Sequence, residues 1–420
     1  MTQPKFLQIH TLTSYPGTLL NRDDAGFAKR LPFGGATRTR VSSQCLKYHW
    51  RNFEGENALY NMDVPKSYRS RRTFNELVVD PLVEDGYPRP LVRSTVFALQ
   101  KRVLDGKKAG KRDTRTLLDP DEDDDPQEML ETGQITIFGE PELRYIRQLA
   151  AERLDEIQED YPHLWSEEGV EFGDEFDDVV ERTRSFSKKD LKKALKGLEL
   201  ATGLDAAMFG RMATSDVLAR GDAAIHVGHA FTTHEEETES DYFLAADQLK
   251  SQTGELGGGH INSAELTSGL FYSYVVVDIP LLVSNLTGVS RDEWQDADRA
   301  LPGEVMDRMI KLITTVSPGA KLGSTAPYSH AQCLFVEAGT SQPRTLANAF
   351  QKPASREDVL EDSYQKLGNF VSEMDDMYGV QTDRRLAAMG PKEGLADALK
   401  VDQTHSVPQI AEWAADKIRR

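Results

Sequence analysis

Cysteine is nearly absent from this sequence. Cys45 and Cys333 are the only two in 420 residues, too few for a disulfide framework or a zinc cluster, and such scarcity favours a reducing cytoplasm. Long hydrophobic runs are missing as well. The most apolar stretch, Tyr274 to Val283, is broken by Asp278 and Pro280 and is too short to cross a bilayer. No basic segment followed by an unbroken apolar core opens the chain, so neither secretion nor membrane insertion is expected. Positive charge is in deficit: 50 Lys and Arg stand against 68 Asp and Glu, a net charge of -18. Taken whole, that balance repels nucleic acid and anionic membranes.

What is present is unevenly placed. Residues 119–125 (DPDEDDD) carry six acids and no base, and residues 151–182 carry thirteen acids against Arg153 and Arg182. These two segments hold -17 of the -18. The first 52 residues reverse the sign, with eight bases (Lys5, Arg22, Lys29, Arg30, Arg38, Arg40, Lys47, Arg51) against Asp23 and Asp24. The composition therefore excludes a uniformly basic coat protein but leaves room for a local anion site. A hydrophobic content of 39 % over this length suits a full core, in two or three domains or one domain with large insertions.

Local patterns suggest how the chain is organised. Lys5 to Leu12 (KFLQIHTL) reads as a strand closed by the Pro16-Gly17 turn, with a polar loop through Arg30. Residues 42–52 read as a short helix capped by Ser42 or Ser43, with Gln44, Lys47, Tyr48 and Arg51 on one face and Leu46 and Trp50 turned away. Residues 105–134 are charge-segregated and poor in large apolar residues, which predicts a disordered loop. Helices are predicted from Pro141 to about Asp160, after Ser187, and over Pro302–Val316. Strands are predicted at Tyr272–Ile279 and Gln332–Ala338, and residues 230–262 read as a flexible projection. Mixed strands and helices with two insertions make the expected class α+β.

Several signals can be set aside. Pro318 to Thr325 lacks the spacing of a phosphate loop, and no G-x-S-x-G elbow occurs. His226, His229 and His234 precede three glutamates, but their spacing is not that of a zinc helix, so a solvated loop is expected. Asp23 and Asp24 could hold Mg²⁺ for phosphodiester cleavage, although a loop pair bonding Arg22 or backbone amides is the plainer reading.

The densest signal is residues 20–51. Phe33-Gly34-Gly35 allows close approach of a partner chain, and Arg38 and Arg40 share one strand face. Ser42, Ser43 and Gln44 open a helix, with free N–H groups and hydroxyls, and Lys47 and Arg51 extend the same face. Such a convergence suits a phosphate backbone. Gly210 to Ser215 adds a second cluster in which Arg211, Met212 and Ser215 could meet a nucleobase. The aromatic strand signature of a sequence-reading RNA-recognition motif is missing, so backbone and shape would be read.

These segments resemble the CasC family, the crRNA-binding backbone subunit of the type I-E CRISPR Cascade complex in the RAMP superfamily. The resemblance rests on LNRDD (20–24), FGG (33–35), R-x-R-V-S-S-Q-x-L-K (38–47) and GRMATS (210–215). It continues through HAFTTH (229–234), SGLFYSYVVVDI (268–279), PGAK (318–321) and LANAF (346–350), and is absent from 54–200. It implies a modified RRM/ferredoxin-like (RAMP) palm formed by 1–53, 201–229 and 263–420, a helical fingers insertion at 54–200 and a β-hairpin thumb at 230–262. It also implies a non-catalytic scaffold without cofactor or metal. Copies would line up along one CRISPR RNA beside other Cascade subunits in the cytoplasm, and the guide would pair with target DNA.

Carried over by motif, Arg22, Lys29, Ser42, Gln44, Lys47 and Arg51 would contact RNA backbone. Met212 and Ser215 would bracket a displaced base, and Lys321 would add a phosphate contact. Arg38, Arg40, Ser43 and Arg211 complete the candidate set from the residues themselves. Cys45, Tyr48 and Thr37 depart from the family pattern, the last two where a base is common. In related type III backbone subunits a loop Asp cleaves target RNA, which keeps a Mg²⁺-dependent endoribonuclease using Asp23 or Asp24 as the alternative. Crosslinking of bound RNA should avoid residues 119–125 and 151–182, because their charge repels phosphate; strong crosslinks there would overturn this layout.

Overall fold

A computed structural model gives the fold and describes residues 3–165, 172–198, 200, 202–211, 215–218, 221–244, 261–319, 326–380 and 382–420. The chain divides into two compact units. One contains residues 1–62, 225–280 and 295–420, and the other residues 63–224 and 281–294.

The first unit is built on an antiparallel sheet. Its strands are β1 (Phe6–Thr18), β2 (Arg30–Phe33), β3 (Ala36–Val41), β6 (Ile225–Val227), β7 (Ala230–Thr232), β8 (Glu237–Leu244), β9 (Ile261–Asp278), β10 (Cys333–Gly339) and β11 (Asp383–Ala388). They run in the order β11-β10-β1-β9-β7-β3-β2, with β6 and β8 also paired to β9. β1 is central because Leu7 to Leu12 are buried on both faces of the strand, so neither edge nor face meets water. Its register sets Ile9 opposite Val336 on one side and Val275 on the other.

The expected turn at Pro16-Gly17 is a correction. β1 continues through both residues to Thr18, and its pairing with β9 slips by one residue between Tyr15 and Thr18. Gly17 sits at φ +53°, and its N–H donates to Ser268 Oγ at 2.9 Å. The dipeptide makes a bulge, absorbing one extra residue without ending the strand.

Helices cover both faces of this sheet. Thr11, Thr13, Phe271 and Ser273 face α1 (Ser43–Arg51) and the helix Ala300–Thr315, with Leu46, Trp50 and Ile313 among the lining residues. The opposite face sends Leu12, Tyr272 and Phe335 into a core with Tyr364, Leu367 and Val371 of the helix Val359–Tyr378. The alternation follows the two-residue period of a strand. β8 pairs along its length with Ile261–Ser268 of β9, forming an antiparallel ribbon where a flexible projection was expected; residues 245–260 of that projection lie outside the described residues.

The second unit is largely helical, with a two-stranded ribbon of β4 (Ser67–Ser70) and β5 (Thr136–Gly139). Leu143, Ile146, Ala150, Leu154 and Ile157 put one stripe of the Glu140–Asp160 helix into its core. Ser187 caps the Lys188–Lys196 helix by accepting from the Asp190 N–H at 3.3 Å. The disordered loop expected at 105–134 is a second correction. Helices occupy Lys111–Leu118 and Pro126–Met129, and Ala109, Leu117, Leu118 and Leu130 are buried in the core. Few apolar residues suffice there because they recur on one side. The charged remainder is tied down by ion pairs such as Lys108–Glu181 at 2.9 Å and Lys111–Glu181 at 2.9 Å. Among the described residues, no helix is long and apolar enough to cross a membrane.

A buried ionic cluster lies under the first unit's sheet. Arg384 holds Asp375 through two bonds of 2.7 and 2.8 Å and donates to Glu337 at 3.1 Å. Arg344 bridges Glu337 and Asp375 at 3.2 Å each. Thr382 donates to Glu337 at 2.8 Å, and His10 Nε2 lies 3.7 Å from the same carboxylate. Burial pushes the Glu337 carboxyl up, but His10, Arg344 and Arg384 outweigh it and hold it at about 2, against an ordinary 4.5. Burial also lowers His10 below 6.5, with Glu337 opposing. In both cases the unfolded chain binds more protons, so stability falls with falling pH, first below about 6.5 from His10 and then between 4.5 and 2 from Glu337. Thermal melts from pH 7 to 3 should follow that course, and Glu337→Gln should lower the melting temperature at pH 7 and flatten the acid limb.

Candidate nucleic-acid interface

The start of α1 is the point where the basic segment is assembled. Ser42 caps the helix, its Oγ accepting from the Cys45 N–H at 3.3 Å. Two residues from elsewhere fasten this turn. Asn21 Oδ1 accepts from the Ser42 N–H at 3.0 Å, and His229 Nδ1 accepts from the Ser43 N–H at 2.9 Å. The free helix-start amides expected at 42 and 43 are therefore already bonded, which is a correction to the anion site as drawn from sequence. Since Nδ1 accepts, His229 is neutral with its proton on Nε2.

Backbone bonds bring the cations to the same turn. The Lys29 N–H donates to Asn21 O at 2.9 Å and the Arg40 N–H to Lys29 O at 2.8 Å. Arg40 pairs in register with Phe231, two residues after His229. Burial, together with the charges of Arg40, Lys29 and Lys47, lowers the His229 pKa below its ordinary value, as three cations around one imidazole must. Burial raises the Cys45 thiol to about 11, with Lys29 opposing, so this cysteine is an inert packing residue at neutral pH. Along α1, Gln44 and Tyr48 are exposed, Lys47 and Arg51 are half-buried, and Leu46 and Trp50 are in the core. Arg22 is exposed on the adjoining loop, where an isolated bridge joins it to Ala28.

A family model described as CT1975-like protein (Cas_CT1975) matches residues 7–413. The chain belongs to that family. Among solved structures, a chain titled "CRISPR RNA-guided surveillance complex, pre-nicking" superposes with a TM-score of 0.72 at 24 % identity, covering 98 % of this chain and 100 % of its own. A second, titled "CRISPR RNA-guided surveillance complex", gives a TM-score of 0.63 at 22 % identity and covers 98 % and 99 %. At these identities the likeness is one of fold. No curated protein matches the sequence.

Not every cation of this CT1975-like chain is available to a ligand. Arg38 shares a strand face with Arg40, as expected, yet it is fully buried. Its guanidinium donates to Thr232 O at 3.0 Å, Thr233 O at 2.6 Å and Phe350 O at 2.8 Å, so it closes a gap in the backbone accounting and touches no solvent. Arg211, in the second unit, is likewise buried and grips Glu142 through two bonds of 2.6 and 2.9 Å. Both are corrections: isolated cations in sequence proved to be core residues because long-range partners were waiting for them. Ser215, in the same unit as Arg211, donates its hydroxyl to Val103 O. Met212 and Lys321 lie outside the described residues.

The glycines of FGG also have an internal role. Gly34 and Gly35, at φ +63° and +79°, form the two-residue turn between β2 and β3, and a Cβ on Gly34 would sit 1.6 Å from Gln351 O. The close approach is to the protein's own backbone. Asp23 Oδ1 accepts from the Ala25 and Phe27 N–H groups at 3.0 Å each, shaping the loop that displays Arg22. His226 is exposed on β6, whereas His234 is buried, with Nδ1 donating to Glu235 O at 2.7 Å and Nε2 accepting from the Leu270 N–H at 3.1 Å. Among the described residues, no group of three or more His, Cys, Asp or Glu is placed to hold a metal ion.

Asn21 and His229 were not singled out from sequence as parts of this site, although both lie within the LNRDD and HAFTTH segments. Their role needs contacts spanning 21 and 186 residues. Arg38→Ala should cost about 3 kcal/mol or more, since it strands several buried carbonyls, whereas Arg40→Ala should leave the melting temperature within a degree or two. Chemical denaturation of the two variants checks this contrast.

Proposed function

We propose that this protein is a non-catalytic, guide-RNA-binding backbone subunit of a CRISPR effector complex, of the type I-E kind that its motifs resemble. The observation that carries the reading is the gathering of Lys29, Arg40 and Lys47 around His229, which fastens the start of α1, in a chain whose net charge is -18. Three cations around a helix start recognise phosphate without reading bases. Family membership supports the assignment, as does a fold shared with chains of RNA-guided surveillance complexes.

The strand order also supports a ferredoxin-like palm. β10-β1-β9-β7 are neighbours, α1 lies between β1 and β7, and the Ala300–Thr315 helix lies between β9 and β10. That succession is two β-α-β units with interleaved strands. On this reading the helical unit serves as fingers and the β8–β9 ribbon as the base of a thumb. Copies of the chain stack along the guide in the cytoplasm with other complex subunits, and the guide pairs with target DNA. Asp23 is engaged in loop geometry, consistent with a scaffold that leaves cutting to a partner.

Expressed with its operon neighbours, the protein should elute as a large particle absorbing strongly at nucleic-acid wavelengths. Lys47→Ala should weaken binding of every RNA sequence alike and reduce the slope of log affinity against log salt by about 1. A clean monomer without RNA, or a Lys47→Ala effect that depends on guide sequence, would sink the proposal. Cleavage of complementary RNA with Mg²⁺, abolished by Asp24→Ala, would favour the ribonuclease instead.

A further inference from the structure

Two aromatic side chains stand out in the basic segment, where an acidic protein exposes its cations. Tyr48 is 56 % exposed and Phe27 is 52 % exposed. An isolated exposed aromatic is ordinary surface; here both are interleaved with the cations of the phosphate path. Tyr48 shares the outward face of α1 with Gln44, Lys47 and Arg51, at the i, i+3, i+4, i+7 spacing. Phe27 lies between Arg22 and Lys29.

Both residues sit on hydrogen-bonded backbone. The Tyr48 ring meets the His49 ring edge-on at 5.3 Å and 89°, and His49 is itself pinned because its Nε2 accepts from the Gly319 N–H at 3.1 Å. Phe27 is held at a closed loop: its N–H donates to Asp23 Oδ1 at 3.0 Å, its carbonyl accepts from the Asp23 N–H at 2.8 Å, and the Arg22–Ala28 bridge follows directly. Burying such rings in the protein's own core would have been the cheaper use of their apolar area. A cationic track interleaved with exposed aromatics is the arrangement that single-stranded nucleic acid binds, its phosphates on the cations and its bases on the rings.

We infer that Tyr48 and Phe27 are stacking platforms for unpaired nucleobases, so that this face binds single-stranded RNA by base stacking as well as by phosphate contact. The inference rests on the RNA-binding reading above and adds to it a second kind of contact. Every base has a flat face, so the contact is tolerant of sequence.

The test uses the full chain and a 12-nucleotide RNA, with a matched RNA carrying abasic sites. Tyr48→Ala should weaken the intact RNA at least about fivefold while leaving the salt slope unchanged, because no phosphate contact is lost. Tyr48→Phe should bind as the parent does. On the abasic RNA the parent and Tyr48→Ala should bind alike, and Phe27→Ala should behave as Tyr48→Ala does. An unchanged affinity for Tyr48→Ala and Phe27→Ala, a loss that persists on abasic RNA, or a loss shared by Tyr48→Phe would overturn the inference. Lys47→Ala separates the two levels. If it weakens binding and flattens the salt slope while the aromatic variants do nothing, stacking alone is wrong; if it too does nothing, or the parent does not bind, the RNA-binding reading falls with it.

Discussion

Everything in the first unit depends on β1 being hydrogen-bonded along both edges and buried on both faces. β9 and β10 flank it in antiparallel register, and helices cover its two surfaces. A strand in that position has no freedom to slip, because a one-residue shift would exchange Leu7, Ile9 and Thr11 with Gln8, His10 and Leu12 across two different cores. The fixed register of β9 in turn fixes β7, which pairs Phe231 with Tyr272, and β7 fixes β3, which pairs Arg40 with Phe231. The cationic turn at the start of α1 is the last link in this series. Its geometry is therefore inherited from the middle of the sheet.

The unit spends its charges in two distinct ways. Arg38, Arg344 and Arg384 are buried or nearly so, each donating several bonds to carbonyls or carboxylates. In a low-dielectric interior, removing one partner from such a group costs more than the pair contributes. Arg22 is exposed, and Arg40 and Lys47 are half-buried, with Arg40 Nε donating to Arg30 O at 3.2 Å. Arg38 and Arg40 lie two residues apart on one strand, yet one is fully buried and the other only half-buried. Residue type and spacing do not separate these roles; the tertiary neighbourhood does.

Much of the fold could be read along the chain. The α1 helix, its buried Leu46 and Trp50, the helix from Glu140 to Asp160, β10 and the Tyr272–Asp278 part of β9 follow from short-range periodicity and capping, which are local physics, whereas β9 starts earlier, at Ile261, and Ile279 opens a helix. The errors arose where sparse apolar residues gained long-range partners. Ala109, Leu117, Leu118 and Leu130 look too few to order residues 105–134, but the helical core they enter is supplied from elsewhere. Pro16-Gly17 looks like a turn, but pairing on the far side holds the strand through it. At the site, the cationic face of α1 was legible, whereas the fastening by Asn21 and His229 was not.

By itself, the sequence determined the class of chemistry: a local concentration of cations and hydroxyls in an acidic chain, in motifs that place it in a family. It also determined which face of α1 meets water, because a helix face is set by spacing alone. Only the tertiary structure decided which cations remain available, that the amides at 42 and 43 are already taken, and that Gly34 serves the protein's own backbone. The reason is common to all three. Whether a given cation, amide or glycine is already engaged depends on partners distant in sequence, and a periodic pattern does not name those partners.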